Sequence, residues 1–237
     1  MFRGLDDRFS RSEALLGETA MKRLTEARVL VVGVGGVGSW CAEALVRTGL
    51  GHITLVDDDV VAESNVNRQC PATAATVGRP KVAAMAERLI AINPQADVIA
   101  RFEMFEKFEG FEKFDVVVDA IDSVDCKAEL ILSATEAGVP IVSSMGAALR
   151  LDPTKVKVTR FEKVEGDGLA RALRQRFKKL GRFPAAKFNC VWSGEAPVTA
   201  PVAETATVRL KGSLMPVTAT FGMCLASEAI RILTKGT

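Results

Sequence analysis

Soft metal ligands are scarce in this 237-residue chain: it has one histidine, His52, and five scattered cysteines. Cys41, Cys70, Cys126, Cys190 and Cys224 include no C-x-x-C pair, which argues against a structural zinc site. An odd, scattered set fits reduced thiols in a cytoplasm, the expected compartment. Net charge is scarce too. The 31 Lys and Arg against 29 Asp and Glu leave only +2, so any nucleic-acid surface must be a local patch. The opening MFRGLDDRFSRSE has no apolar core and does not read as a signal peptide. The most apolar late stretch, 214–233, contains Pro216, Glu228 and Arg231, which argues against a membrane span. There is no internal repeat and no linker rich in Gly, Ser or charge. Residues 1–237 are therefore expected to form one domain, with a core at about 25–150 and an extension at about 151–237.

Strands and helices alternate from Arg28 onward. RVLVVG is a short apolar run ending in glycines, the pattern of a buried parallel strand. A helix follows over 39–48, with Ala42, Leu45 and Val46 on one face, and HITLVD is a second strand. PKVAAMAERLIAI (80–92) reads as an amphipathic helix opened by Pro80. ADVIAR, FDVVVDAID and VPIVSS supply three more strands, the last after a helix over 125–137. This order predicts an α/β fold of Rossmann-like type, a mainly parallel sheet with helices on both faces. Past residue 150 the rhythm changes: strand candidates at VKVTRFEK (156–163) and NCVWS (189–193), a loop-like 194–211, and a packed helix over 214–233. Phe102, Phe105, Phe108, Phe111 and Phe114 recur at period three, which drifts around an α-helix. An irregular turn packing its rings on the sheet accounts for them better than a stacking platform for bases.

Gly33, Gly35, Gly36 and Gly38 stand between a strand and a helix, where a tight turn and free helix N–H groups favour a phosphate. Asp57 lies at the end of the second strand, suited to a ribose hydroxyl pair. These residues alone favour a nicotinamide or flavin cofactor. Three further features reverse that. Lys81 falls in the first turn of its helix, where the dipole disfavours a cation, so an anion beside it is expected; a lysine snorkelling to solvent is the plain alternative. Asp122 follows the fourth strand, where a carboxylate repels a pyrophosphate unless Mg²⁺ intervenes; helix capping is its plain alternative. Asn65-x-x-Arg68-Gln69 adds donors beyond the needs of a dinucleotide. The combination points to ATP, with Asp57 on the ribose, Asn65, Arg68 and Lys81 on the triphosphate, and Mg²⁺ on Asp122. An α-phosphorus exposed to an incoming carboxylate then gives adenylation.

Gly33-x-Gly-Gly-x-Gly38, Asp57-x-Asp59, Asn65-x-x-Arg68-Gln69, Gly78-x-Pro-Lys81 and Asp119-x-x-Asp122 together resemble the ubiquitin-activating-type, ThiF-like adenylating superfamily. The resemblance implies ATP binding at these positions and catalytic roles for Arg68, Lys81 and Asp122. Arg8-Phe-Ser-Arg11 is similar to the superfamily's amino-terminal Arg-x-x-Arg, which implies a homodimer with Arg11 acting across it. RFSRSEALLGETAMKRL, DAIDSVDCKAELI, SSMGAALRLDPTKVKV, KFNCVWSGEAP and GSLMPVTATFGM most resemble the tRNA threonylcarbamoyladenosine dehydratase branch, and cover most of the chain. That branch implies ATP-driven cyclisation of N6-threonylcarbamoyladenosine in tRNA, with AMP and pyrophosphate as co-products. The alternative is an activator of a small ubiquitin-like sulfur-carrier protein; association with a cysteine desulfurase or another sulfur-acceptor system is left open.

Residues 171–187 hold seven Lys or Arg and no acid. Arg171, Arg174, Arg176, Lys178, Lys179, Arg182 and Lys187 are thus candidate tRNA contacts, against the alternative of a solvated helix face. Asp167-Gly168 stands where the branch usually has Asp-Pro, which leaves the start of this segment open. Cys190, in an apolar strand, reads as a small buried hydrophobe rather than an acyl carrier.

Overall fold

Arg28–Val32 (β1) is buried on both faces: Val29 and Val31 belong to one apolar cluster, Leu30 and Val32 to another. Successive strand side chains point to opposite sides, so this unbroken apolar run has to be sandwiched. The computed structural model describes residues 7–105, 110–198 and 211–235. It adds β2 (His52–Val56), β3 (Asp97–Arg101), β4 (Val116–Asp119), β5 (Ile141–Ser144), β6 (Val156–Arg160) and β7 (Asn189–Ser193) to one seven-stranded sheet of order β3-β2-β1-β4-β5-β7-β6. All pairings are parallel except that of β6 with β7. The expected Rossmann-like α/β architecture is present.

One face is covered by α2 (Glu18–Glu26), α3 (Gly38–Thr48), α4 (Lys81–Ile92) and α7 (Met215–Thr234), through Met21, Leu24, Leu45, Met85, Val217 and Phe221. The other is covered by α5 (Val124–Glu136) and α6 (Gly168–Leu180), through Ile131, Leu173 and Phe177. α7 is long and apolar enough to cross a membrane by length and composition. In the fold it lies along α3, with Gly222 set against the Val37 carbonyl and Trp40. Its acid Glu228 accepts bonds from Asn189 of β7 and from Arg231. That packing is the pattern of a core helix.

Pro80 immediately precedes α4, as its N-cap, rather than opening it as the first helical residue. Residues 161–163 leave the edge strand as a 3₁₀ turn. Of the phenylalanine series, Phe105 and Phe111 are buried against the sheet and Phe114 packs on the same cluster, while Phe102 is exposed; Phe108 lies outside the described residues. Asp167 caps α6 by accepting the Ala170 N–H and also accepts Gly146 N–H. Gly168 then opens the helix without the proline.

Candidate functional site

The strand order reverses between β1 and β4, whose chains turn in opposite directions along the sheet, and ligands of such folds collect in the crevice at the strands' carboxyl ends. Loop 33–37 follows β1 and loop 120–123 follows β4. Gly33 has φ +91°, and a Cβ there would sit 2.6 Å from the Ala120 carbonyl oxygen. A Cβ on Gly38 would sit 1.8 Å from the Gly33 carbonyl oxygen and 3.0 Å from the Cβ of Ala120. These two glycines therefore join the two loops of the crevice, a packing duty beyond the phosphate approach expected of them. Gly35 and Gly36 differ. A Cβ on Gly35 would meet only the Gln69 amide, at 3.9 Å, and one on Gly36 the aliphatic part of Arg68, at 3.2 Å. That leaves the backbone at the amino end of α3 open for close approach of a ligand, with Arg68 and Gln69 flanking it.

Residues 62–70 are carried to the loop by side-chain bonds. Asn65 Oδ1 accepts Ala62 N–H, which folds the segment into a 3₁₀ turn. Trp40 Nε1 donates to the Arg68 carbonyl, and Ser39 Oγ donates to Gly35 O while accepting Cys70 N–H. Cys70 in turn donates to buried Glu43, which also takes Arg47 and Arg88. Burial alone would raise the Glu43 carboxyl, but these donors hold it at about 2, while burial and the neighbouring carboxylate push the Cys70 thiol up to about 12. The pair is thus a fixed strut between α3, α4 and the Arg68 segment. The Arg68 guanidinium donates to the Ser64 carbonyl and Asn67 Oδ1. Gln69 is buried and its Oε1 has no partner, an orphan of the kind a bound ligand satisfies.

Asp57 and Asp59 divide their work. Asp57 accepts Val34 N–H at 2.6 Å and Asp59 N–H at 2.9 Å, tying the end of β2 to the glycine loop. Burial pushes its carboxyl upward, against the pull of Lys81. Lys81 does not snorkel. Its side chain is buried, with Nζ 2.5 Å from Asp59 Oδ2 and 4.0 Å from Asp57 Oδ1. The anion beside this helix-start cation is therefore Asp59, so Asp59 serves as the partner of Lys81 and its expected contact with the nucleotide is not needed to explain it.

Asp122 is exposed, and among the described residues its side chain makes no hydrogen bond or ion pair. The residue before α5 is Ser123, and no side chain caps that helix, so the capping alternative for Asp122 is not what the fold uses. The loop carrying Asp122 is anchored from below by Asp119, which accepts Ile121 N–H, Ser143 Oγ–H and the ammonium of Lys127 at 2.7 Å. Asp119 and Lys127 are both fully buried. Lys127 and Ser143 were not anticipated from the sequence. The former had a readable signal, since it precedes Leu130 and Ile131 by three and four residues and so lies on the buried stripe of its helix.

No cluster of three His, Cys, Asp or Glu able to hold a metal occurs among the described residues. One free carboxylate beside a phosphate cradle does fit Mg²⁺, which is typically held by one or two carboxylates together with substrate phosphates. Arg11 lies on α1 (Ser10–Leu16), exposed and without a partner among the described residues; within the chain α1 packs chiefly on α2.

The basic segment splits. Arg174 donates to the carbonyls of Phe161 and Val164 and stacks over the Phe161 ring at 4.9 Å. Arg176 pairs with Asp125, and Arg182 with Glu129 and Glu136. Arg174 and Arg176 thus brace α6 against its surroundings, partners that the charge count could not show. Arg171, Lys178 and Lys179 are exposed and unpaired among the described residues. Cys190 is buried in β7 and burial raises its thiol far above the ordinary range, as the reading of a packed hydrophobe expects.

This crevice, with its glycine loop, acidic strand end and Arg-Gln segment, is that of a known class: residues 9–237 match the ThiF family, and the chain belongs to it. Among its relatives, the tRNA threonylcarbamoyladenosine dehydratase of Escherichia coli is 38% identical, over 94% of this chain and 92% of that protein. The Bacillus subtilis enzyme of the same name is 40% identical, over 80% and 76%. A crystal structure of the E. coli enzyme in complex with ATP superposes with a TM-score of 0.84 at 37% identity, covering 97% of this chain and 96% of that one.

Proposed function

We propose that the chain is an ATP-dependent tRNA threonylcarbamoyladenosine dehydratase. The observation that carries this reading is the joint presence of an open cradle at Gly35 and Gly36, Arg68 and Gln69 on its flank, and Asp122, unpaired among the described residues, on the loop after β4, in a chain whose relatives over most of its length carry that name. The amino end of α3 and Gly35 and Gly36 receive the phosphates. Asp57 orders the glycine loop and offers its remaining lone pairs to the ribose. Asp122 would hold Mg²⁺, which would supply neutralising charge to the phosphates. Arg68 releases Ser64 and Asn67 to follow the charge that develops on the triphosphate, and Lys81, fixed by Asp59, adds a positive field beside it. The threonyl carboxylate attacks the α-phosphorus and pyrophosphate leaves. The carbamoyl group, already tethered to the acyl carbon, then closes the ring with departure of AMP. Tethering supplies a large effective molarity, so no covalent enzyme intermediate is needed and Cys190 can stay buried.

Further parts of the reading are a homodimer in which Arg11 crosses to the partner's triphosphate, a cytoplasmic setting and a single domain over 1–237. Exposed Arg171, Lys178 and Lys179 meet the tRNA backbone. Release of AMP and pyrophosphate should require tRNA that carries the threonylcarbamoyl group; release that is equal with unmodified tRNA would reject the assignment.

The reading fixes what two variants should do. Arg68→Ala is expected to lower kcat by about 10²–10³, the usual cost of one charge-stabilising donor, with a much smaller change in ATP affinity, read by single-turnover kinetics and equilibrium binding. A loss confined to ATP binding would give Arg68 a ground-state role only. Reversing Lys178 and Lys179 together to Glu should raise KM for tRNA about tenfold or more and flatten its salt dependence, leaving ATP binding intact. An unchanged KM would place this end of α6 away from the tRNA.

A further inference from the structure

Arg150, in the loop after β5, is 4% exposed. Among the described residues its Nε has no partner, and its one hydrogen bond is a long 3.4 Å contact from Nη1 to the carbonyl of Leu149. A guanidinium stays charged in a protein, and a buried charge without a counterion is among the costliest features a fold can keep. The other strongly buried cations here are paired: Lys127 with Asp119, and Lys81 with Asp59. Arg150 pairs with no carboxylate among the described residues.

The backbone beside it is strained. Leu149 has φ 59°, the one positive value at a non-glycine position among the described residues. Such strain persists only where surroundings over-determine it, and it gathers at functional sites. Those surroundings are visible: Leu149 N–H donates to Gly212 O, Val198 N–H donates to Leu149 O, and Glu195 accepts both Leu151 N–H and Asp152 N–H. The loop is tied on several sides while the charged group within it is left without a match.

The loop that carries Arg150 is also tied to the crevice. It leaves the carboxyl end of β5, the strand next to β4. Gly212 holds Leu149, and the adjacent Ser213 accepts a bond from Asn67, the neighbour of Arg68. In the order β2-β1-β4-β5, the strands that lead to Asp57 and the glycine loop lie on one side of β4, and the strand that leads into the Arg150 loop lies on the other. We infer that Arg150 is a substrate-binding residue that receives an oxyanion on the acyl side of the site, and that this anion is the free carboxylate of the threonylcarbamoyl group. A planar fork of donors matches a planar carboxylate, and the nucleotide side already has its own cations in Arg68 and Lys81. The inference rests on the dehydratase reading; a phosphate of the tRNA backbone offers the same anion chemistry and is separated from it by the test.

The test uses the full-length enzyme and its Arg150→Gln and Arg150→Lys variants. Equilibrium binding is measured for ATP and for one tRNA with and without its threonylcarbamoyl group. The wild type should prefer the modified tRNA. Arg150→Gln should weaken that binding by about tenfold to a hundredfold, the range expected for hydrogen bonds to a charged group, down to the level of the unmodified tRNA. Binding of ATP and of unmodified tRNA should stay put, and Arg150→Lys should recover part of the preference. The ligand-free Arg150→Gln protein should melt no lower than the wild type, because it loses an uncompensated buried charge; a purely structural arginine would give a fall. Equal weakening of both tRNAs would assign the anion to the backbone and overturn the inference. So would an unchanged preference, or a lowered melting temperature with unchanged binding. A wild-type enzyme indifferent to the modification would overturn the dehydratase reading and this inference together.

Discussion

Replacing Asp122 by alanine is expected to abolish product formation, by roughly a thousandfold or more, while leaving the fold intact. The side chain is exposed and makes no bond with any described residue, so its removal breaks no native contact, and substitutions of that kind usually alter stability by no more than about 0.5 kcal/mol. Its chemical role is large for the opposite reason. In a crevice with no cluster of metal-ligating side chains among the described residues, the proposed Mg²⁺ would rest on this one carboxylate together with the phosphates. On that reading its removal would take neutralising charge from the departing pyrophosphate, and metal ions at transferring phosphoryl groups supply several kcal/mol. The check is a pair of measurements: a melting curve that matches the wild type, and a turnover that stays lost at saturating ATP and tRNA. A variant with near-normal turnover would remove Asp122 from the metal site. Recovery at high Mg²⁺ would instead show that affinity for the ion, rather than its placement, had been reduced.

The second large effect is on stability. Lys127→Ala should destabilise the protein by about 3–5 kcal/mol, because it leaves the Asp119 carboxylate buried without its counter-charge. Chemical denaturation reads this directly. A loss below about 1 kcal/mol would mean that Ser143 and the Ile121 N–H satisfy Asp119 unaided. A paired replacement, Asp119→Leu with Lys127→Met, is expected to recover most of the stability, since well-packed apolar substitutes for a buried ion pair are often neutral or better. It should not recover activity. Asp119 also holds the Ile121 N–H, and with that bond gone the loop presenting Asp122 has lost its anchor. The contrast separates the strength of the fold from the placement of the site.

How much of this was legible in the sequence differs from residue to residue. The alternation of apolar strands and amphipathic helices made the sheet and its two covered faces readable, because period and turn chemistry are local properties. The place of β7 was not: it inserts between β5 and β6, and nothing local distinguishes an inserted strand from an appended one. The glycines were legible as a loop, but their division of labour was not. Only the approach of Ala120 and of the Gly33 carbonyl shows that Gly33 and Gly38 bind the two loops together while Gly35 and Gly36 leave room. Asp59 and Lys81 are residue types that serve equally well as ligand contacts or as each other's partner, and twenty-two positions separate them; the tertiary fold decides. The same holds on α6, where seven basic residues over 171–187 do not announce which of them Phe161, Asp125 and the α5 glutamates have already engaged. Arg150 left no periodic signal at all. Its interest comes from a missing partner, which is a property of three dimensions.

The central claim concerns a reaction, and mass spectrometry of nucleosides tests it most directly. Threonylcarbamoylated tRNA would be incubated with enzyme, ATP and Mg²⁺, then digested under rapid, mild conditions that keep a reactive ring closed. The account predicts a new nucleoside lighter than the threonylcarbamoyl form by one water, formed only when ATP is present. The absence of that species from active enzyme, with pyrophosphate released instead in the presence of a small ubiquitin-like carrier protein, would contradict it and move the same ATP site to protein activation.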